Sequence, residues 1–181
     1  MMQEPLPAWL SGLSKAIHST LLAPAQEGLV ESSLQLFSEF NHVLVNEYLP
    51  GQGIFAHEDG PFYHPMVATL SLGSHTIINY RPKHSALETD PSLKGFSLFI
   101  EPRSLVVMSE KVYRDFTHEI EPKTADRVSC LTECENFSQC AIKDFPSEIQ
   151  RGARISLTFR HVKNSHKLPR ILGFVKPMGN K

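Results

Sequence analysis

Residues 41–60 read NHVLVNEYLPGQGIFAHEDG, and the hydrophobic period changes at the start of this stretch. From His42 to Tyr48 the side chains alternate, with Leu44, Asn46 and Tyr48 on one face and Val43, Val45 and Glu47 on the other, the period-two signature of a strand. Leu49-Pro50-Gly51-Gln52-Gly53 is a turn by composition. A short strand over 54–59 follows, and Gly60-Pro61 ends it. Further strands are predicted at 67–72, 76–80, 96–101, 105–108 and 153–162, separated by breaks such as Gly73-Ser74 and Glu101-Pro102-Arg103. Upstream, Trp9, Leu13, Ile17 and Leu21 recur every four positions, with Ser14, Lys15 and His18 off the stripe, and predict a helix over 8–22. Residues 32–40 add a turn or two of a second helix. A short helical preface before about seven closely spaced strands predicts a mainly β chain, a sandwich or jelly-roll barrel.

The organisation read from the sequence is a preface at 1–41, a barrel at 42–162 and a basic tail at 163–181. One segment departs from the barrel pattern. Residues 119–151 are polar, show no clear period and contain Cys130, Cys134 and Cys140. Excursions of that length are usually functional or disordered. Their cysteines, spaced by three and five residues, fit a zinc knuckle poorly and read more simply as free thiols.

The chain's 181 residues suit one domain that buries its own core. Hydrophobic residues at 41% and charged residues at 20% exclude a disordered, collagenous or coiled-coil chain. The formal net charge of -1 advertises no anionic partner globally, yet the charge is uneven. Arg160, Lys163, Lys167, Arg170, Lys176 and Lys181 face no acid from residue 160 onward, which leaves 12 basic and 19 acidic groups in the first 159 residues. Such a tail suits a phosphate backbone or a solvated terminus equally in kind. No apolar run approaches the roughly 20 residues that cross a bilayer. Two early prolines and an acid do not resemble a signal peptide. A soluble protein of cytoplasm and nucleus, monomeric and without membrane contact, is the expectation.

Two strands carry chemistry. His57 and Asp59 are two apart on the predicted strand at 54–59, so both point to one face. One imidazole and one carboxylate are two-thirds of the ligand set of non-haem Fe(II) oxygenases, whose third ligand is a His from elsewhere. A His-x-Asp pair also arises often by chance in a chain with nine His, and its bland reading is two polar groups at a strand end. At 153–161, Arg154, Ser156, Thr158 and Arg160 share one face and Ile155, Leu157, Phe159 and His161 the other. If the polar face is exposed this is an ordinary half-buried strand. If it faces the barrel interior, its two guanidiniums need anionic partners, and a dicarboxylate held bidentately would supply one. Asn46 and Tyr48 add neutral donors on a single face.

Taken together, NHVLVNEYLPGQGIFAHEDG at 41–60, VATLSLGS at 67–74 and RISLTFR at 154–160 resemble, in order, the motifs of AlkB-type Fe(II)/2-oxoglutarate dioxygenases. The resemblance covers roughly residues 5–162. It implies a double-stranded β-helix, with His57 and Asp59 as iron ligands and His118, 61 residues after His57, as the third. It implies that Asn46, Tyr48, Arg154 and Ser156 hold the far carboxylate of 2-oxoglutarate, and that Arg160 lies near the end that chelates iron. Fe(II), 2-oxoglutarate and dioxygen are the cofactor and co-substrates so implied. The implied chemistry oxidises 2-oxoglutarate to succinate and hydroxylates a nearby C–H. On an N-methyl group that releases formaldehyde, and a base in a polymer is extruded to reach the site. Demethylation of alkylated DNA or RNA is therefore the expected function. The alternatives are the same oxidation of a protein or lipid, and a catalytically silent module that binds nucleic acid through the tail. The family's amino-terminal nucleotide-recognition lid has no counterpart in the 181 residues, so weak substrate recognition is a further expectation.

Overall fold

β10 (Arg154–Val162) is buried on both faces, and the layers of the fold are built on that strand. In the computed structural model, which describes residues 6–26, 39–141 and 147–162, the elements run in the following order. Helix α1 (Ala8–Gln26) precedes β1 (His42–Tyr48), β2 (Ile54–His57), β3 (Tyr63–Leu72) and β4 (Thr76–Pro82). Helix α2 (His84–Thr89), β5 (Phe96–Ile100), β6 (Leu105–Ser109), helix α3 (Glu110–Asp115) and β7 (Phe116–Ile120) follow. The excursion then supplies β8 (Ala125–Arg127), helix α4 (Val128–Leu131) and β9 (Glu148–Gln150) before β10.

Two four-stranded antiparallel sheets result, ordered β1-β10-β3-β6 and β2-β7-β4-β5. Tyr48, Val67 and Met108 of the first sheet meet Ile54, Ile78, Tyr80, Ile100, Phe116 and Ile120 of the second in one apolar cluster between them. That packing is the mainly β jelly-roll arrangement expected from the strand spacing.

The back of the first sheet carries α1. Leu10 and Ile17 pack on Phe40, Met66, Ala68, Leu157 and Phe159. The face of α1 packed on the sheet is therefore Leu10, Leu13, Ser14, Ile17 and Leu21, so Leu13, Ile17 and Leu21 of the expected stripe turn inward and Trp9 does not. Trp9 is 63% exposed, whereas Ser14 is buried and donates to the Phe40 carbonyl at 2.9 Å. A serine on that face costs the helix little, because a short hydroxyl that finds a carbonyl is as acceptable at a helix–sheet seam as a methyl. The second helical turn expected at 32–40 falls mostly outside the described residues, as does the basic tail at 163–181.

The described residues of the excursion, 119–141 and 147–151, pack against the barrel. Leu131, Cys134 and Cys140 pack against Ile77 and Phe99 on the outer face of the second sheet, and β8 pairs with β9. All three cysteines are free thiols. Burial, with neighbouring Cys140, pushes the Cys134 thiol up to about 11, the environment of a packing residue and not of a reactive thiolate.

A buried ionic knot ties the excursion to the barrel. Arg151 grips Asp126 with Nε at 2.6 Å and Nη2 at 2.8 Å, and also donates from Nη1 to the Glu121 carbonyl. His75 Nε2 lies 3.1 Å from the same carboxylate. Burial raises the Asp126 pKa, but the hydrogen bonds from His75 and Arg151 outweigh it and hold the carboxyl at about 2. Because the folded value lies below the unfolded one, this stabilisation is complete above the ordinary carboxylate range. It is lost as pH falls from about 4 toward 2. Asp126→Asn removes the carboxylate and leaves Arg151 buried and unpaired, an expected loss of about 3–5 kcal/mol in urea unfolding at neutral pH. The difference between wild type and variant should shrink at pH 2, and a constant difference would exclude Asp126 as the acid-labile group.

Candidate active site

Gly53 lets β2 approach β7. A Cβ there would stand 2.1 Å from the Ile120 carbonyl oxygen, inside any permitted contact, so only glycine allows the pairing that sets His57 opposite His118. Their rings lie 4.3 Å apart between centroids. Between Ile54 and His57 the register shifts, which turns the two residues toward the same interior side despite their odd spacing.

β2 ends at His57, so Asp59 lies beyond the strand and not on it as expected. The alternation argument fails there, yet the carboxylate still reaches His118 and Arg160 from outside the ladder. Its side chain is 2% exposed, with Oδ2 3.9 Å from His118 Nε2 and Oδ1 accepting from Arg160.

His118, on β7, is flanked by Tyr80 at 6.0 Å between rings. Burial first, and then the neighbouring His57, push its pKa down to about 4, so the ring is neutral at physiological pH and keeps a lone pair. His57 Nδ1 lies 2.8 Å from the Phe55 carbonyl, an oxygen that can only accept, so Nδ1 is the donor.

Two imidazoles and one carboxylate are a chemically sound donor set for Fe(II). The Asp59–His118 separation is somewhat wider than the roughly 3 Å between adjacent donors on one ion. Among the described residues, no group of three or more His, Cys, Asp or Glu side chains converges on a metal position. The three residues are adjacent, with the carboxylate engaged by Arg160.

The second part of the site lies along β10. Asn46 is paired across the ladder with Ser156, and Tyr48 with Arg154. The Tyr48 hydroxyl is hydrogen-bonded to Asn46 and Ser156, and burial raises its pKa. The Arg154 guanidinium lies over the Tyr48 ring at 5.4 Å. Arg154 is 3% exposed, so the polar face of β10 points inward, the second of the two arrangements open from sequence. Its Nε and Nη2 both donate to Ser71 Oγ, at 3.2 and 2.8 Å, while its Nη1 is buried without a partner. Burial drives its pKa down to about 10, the mark of a guanidinium short of counter-charge.

A pocket lined by Tyr48, Gln52, Thr76, Arg151 and Arg154 opens on this group. Thr76 is 2% exposed, and its Oγ1 is a second buried hydroxyl without a partner. Two orphaned polar groups on one small pocket, which Leu49 and Ile120 also line, fit an anion, and a carboxylate fits the planar fork of Arg154.

Arg160 belongs to the other end. It pairs with Asp59, lies 4.8 Å over the Tyr63 ring and keeps a buried Nε without a partner. The five residues expected around the co-substrate therefore divide, with Asn46, Tyr48, Arg154 and Ser156 together and Arg160 beside Asp59.

Ser71 and Thr76 were not anticipated from sequence. Ser71 had a legible signal, since it shares with Val67 and Thr69 the face of β3 opposite to Ala68, Leu70 and Leu72, and it sits across from Ser156. Thr76 had none, because its role depends on a turn that only the folded chain defines.

Similarities to known proteins point the same way. The profile of the 2OG-Fe(II) oxygenase superfamily matches residues 2–160. A zebrafish (Danio rerio) protein named "Probable RNA/DNA demethylase ALKBH6" is 36% identical over 169 residues, covering 90% of this chain and 65% of its own length. The mouse (Mus musculus) "tRNA (carboxymethyluridine(34)-5-O)-methyltransferase ALKBH8" is 29% identical over 164 residues, covering 88% of this chain and 22% of its own length. The chain thus spans less than two thirds of either relative. The solved structure titled "The structure of OsALKBH1" superposes with a TM-score of 0.49 at 17% identity, over 86% of this chain and 64% of that one. With a family profile that runs from residue 2 to the second arginine of β10, this chain belongs to the 2OG-Fe(II) oxygenase superfamily, and its similarities within it run to AlkB homologues.

Proposed function

We propose that this chain is an Fe(II)- and 2-oxoglutarate-dependent dioxygenase that oxidatively demethylates alkylated nucleic acid. The observation that carries the reading is the buried Arg154, which meets no carboxylate among the described residues, is held by the Ser71 hydroxyl and the Tyr48 ring face, and is set in the same barrel as His57, Asp59 and His118. A structural arginine would have been given a carboxylate, as Arg151 and Arg160 are. One left without can take it from a ligand. Nucleic acid as the substrate rests on the names of the relatives, an RNA/DNA demethylase and a tRNA-modifying enzyme.

His57, Asp59 and His118 would hold Fe(II), which when bound supplies dioxygen activation coupled to decarboxylation of 2-oxoglutarate to succinate. Arg154 receives the far carboxylate with its fork, and Thr76 stands ready with a hydroxyl. Tyr48, fixed by Asn46 and Ser156, stacks on the guanidinium and limits its swing. Arg160 fixes the rotation of the Asp59 carboxylate by occupying one of its oxygens. Tyr80, Phe116 and Ile54 line the barrel around the imidazoles and keep bulk water from them. The chain's own contribution is thus orientation and a dry, charge-matched slot.

His57→Ala is expected to abolish succinate formation from 2-oxoglutarate while leaving the far-ultraviolet circular dichroism unchanged. Full turnover in the variant would remove the ligand assignment. Formaldehyde release from an N-methylated oligonucleotide by the wild-type chain tests the substrate class, and succinate without formaldehyde across DNA and RNA probes would argue for a different substrate.

Arg154→Lys keeps the charge and loses the fork. Affinity for 2-oxoglutarate should fall by about 1–3 kcal/mol, roughly 5- to 150-fold, in calorimetric titration. An unchanged affinity would place the far carboxylate elsewhere.

A further inference from the structure

We infer that Tyr113 is the positioning residue for Asp59: its hydroxyl clamps the loop that follows β2 and thereby sets the affinity of the site for a divalent cation. The inference rests on reading His57, Asp59 and His118 as the ligands, and it adds a determinant of that site from outside the ligand set.

The problem that Tyr113 solves is visible in the secondary structure. β2 stops at His57, so neither Glu58 nor Asp59 is held by a ladder hydrogen bond. Gly60 follows at φ 88, in the left-handed region, with open space where a Cβ would stand. A loop with a left-handed glycine one residue from a ligand has several low-energy paths. Something outside it must choose one.

α3 supplies the choice. The Tyr113 ring packs on the cluster between the sheets, and its hydroxyl donates to the Gly60 carbonyl at 2.6 Å. From the other side Lys83 Nζ donates both to the Glu58 carboxylate and to the Arg114 carbonyl, the latter at 2.6 Å. The Lys83 amide is itself held by the Asp115 carbonyl at 2.8 Å. Residues 58 and 60 are thus tethered to consecutive residues of one short helix, and Asp59 lies between the tethers. The same helix runs directly into β7, which carries His118. One six-residue helix therefore fixes the spacing between the two ligand-bearing segments.

The entry to that helix is strained. Glu110 adopts φ 47, a left-handed conformation that a non-glycine residue takes at a cost, and it is held there while its carboxylate meets Arg114 at 3.1 Å. Strain of this kind persists where the surroundings over-determine it. Here it places Tyr113 over the loop.

The test is a titration of the full, metal-free chain with Co(II), followed by its d–d absorption. Wild type, Tyr113→Phe, Lys83→Met and His57→Ala are compared, and thermal melts of the metal-free proteins are recorded alongside. Tyr113→Phe removes one oxygen and keeps the ring in its packing. It is expected to weaken Co(II) binding on the order of 10-fold, the lower end for loss of an outer support to a metal ligand. Its melting midpoint should stay within about 2 °C of wild type, since one half-buried hydrogen bond is small against the whole fold. Amides at 58–62 should exchange faster in this variant while those of β7 do not, which a general loss of stability would not produce. If Tyr113→Phe does not melt cooperatively, Lys83→Met carries the test. A weaker Co(II) affinity with an unchanged melt supports the clamp, and an unchanged affinity overturns it. Equal Co(II) affinity of a folded Tyr113→Phe and wild type overturns the inference while leaving the ligands in place. Wild type that binds Co(II) no better than His57→Ala overturns the ligand reading itself, and the clamp with it.

Discussion

A guanidinium buried inside an apolar barrel without a carboxylate is the constraint on which this molecule is organised. Arg154 is 3% exposed, and the Ser71 hydroxyl and the Tyr48 ring face are its partners. Taking such a charge out of water costs several kcal/mol after relaxation, and hydroxyl acceptors return only part of it. The deficit shows in the depressed pKa of the group. The free chain carries this as lost stability, and any carboxylate that reaches the pocket is stabilised by the same amount that the protein recovers. Affinity and apparent stability are in this sense one quantity measured from two ends.

That deficit is tolerable because β10 is secured on every other side. Its outward residues Leu157 and Phe159 are sealed by α1. Its edges are hydrogen-bonded to β1 and β3 through nearly its full length. Its amino-terminal approach is fixed by Arg151, whose ion pair with Asp126 closes the excursion against the barrel. Three arginines lie within ten residues and meet three different fates. Arg151 is neutralised by Asp126, Arg160 by Asp59, and Arg154 by no carboxylate among the described residues. The gradation separates two guanidiniums with a counter-charge inside the fold from one without.

Much of this was legible in the chain, and the failures have identifiable physics. The alternation in RISLTFR showed two faces of opposite character, since a strand's period is exact enough to survive in sequence. Which face turned inward was open until α1 was found covering the apolar one. The motif resemblance then named His118, although β7 itself has no periodic signal in its five residues. Leu13, Ile17 and Leu21 of the helix stripe pack as expected, and Trp9 gives way to Leu10, because both are apolar and only the shape of the sheet back chooses between them. The excursion looked structureless for a different reason. Its described part is held by the Asp126–Arg151 pair, 25 residues apart, and by one small core with Ile77 and Phe99, distant in sequence. A local pattern cannot report a long-range tether.

The placement of Asp59 shows how far strand logic reaches. His57 and Asp59 were expected side by side on one face, and β2 ends between them. The carboxylate reaches the site by a route that alternation does not describe, and it does so with its two oxygens already differentiated. Oδ1 accepts from Arg160 while Oδ2 faces His118 at 3.9 Å. A carboxylate has about four lone-pair positions, so serving Arg160 leaves capacity for a cation on the other side. The arginine neutralises part of the charge that would otherwise repel nothing and attract water, and it removes the torsional freedom that a lone aspartate on a loop would keep. What would be lost in raw electrostatic attraction for a cation is returned as orientation, because a ligand fixed before the ion arrives has no rotamer entropy left to surrender.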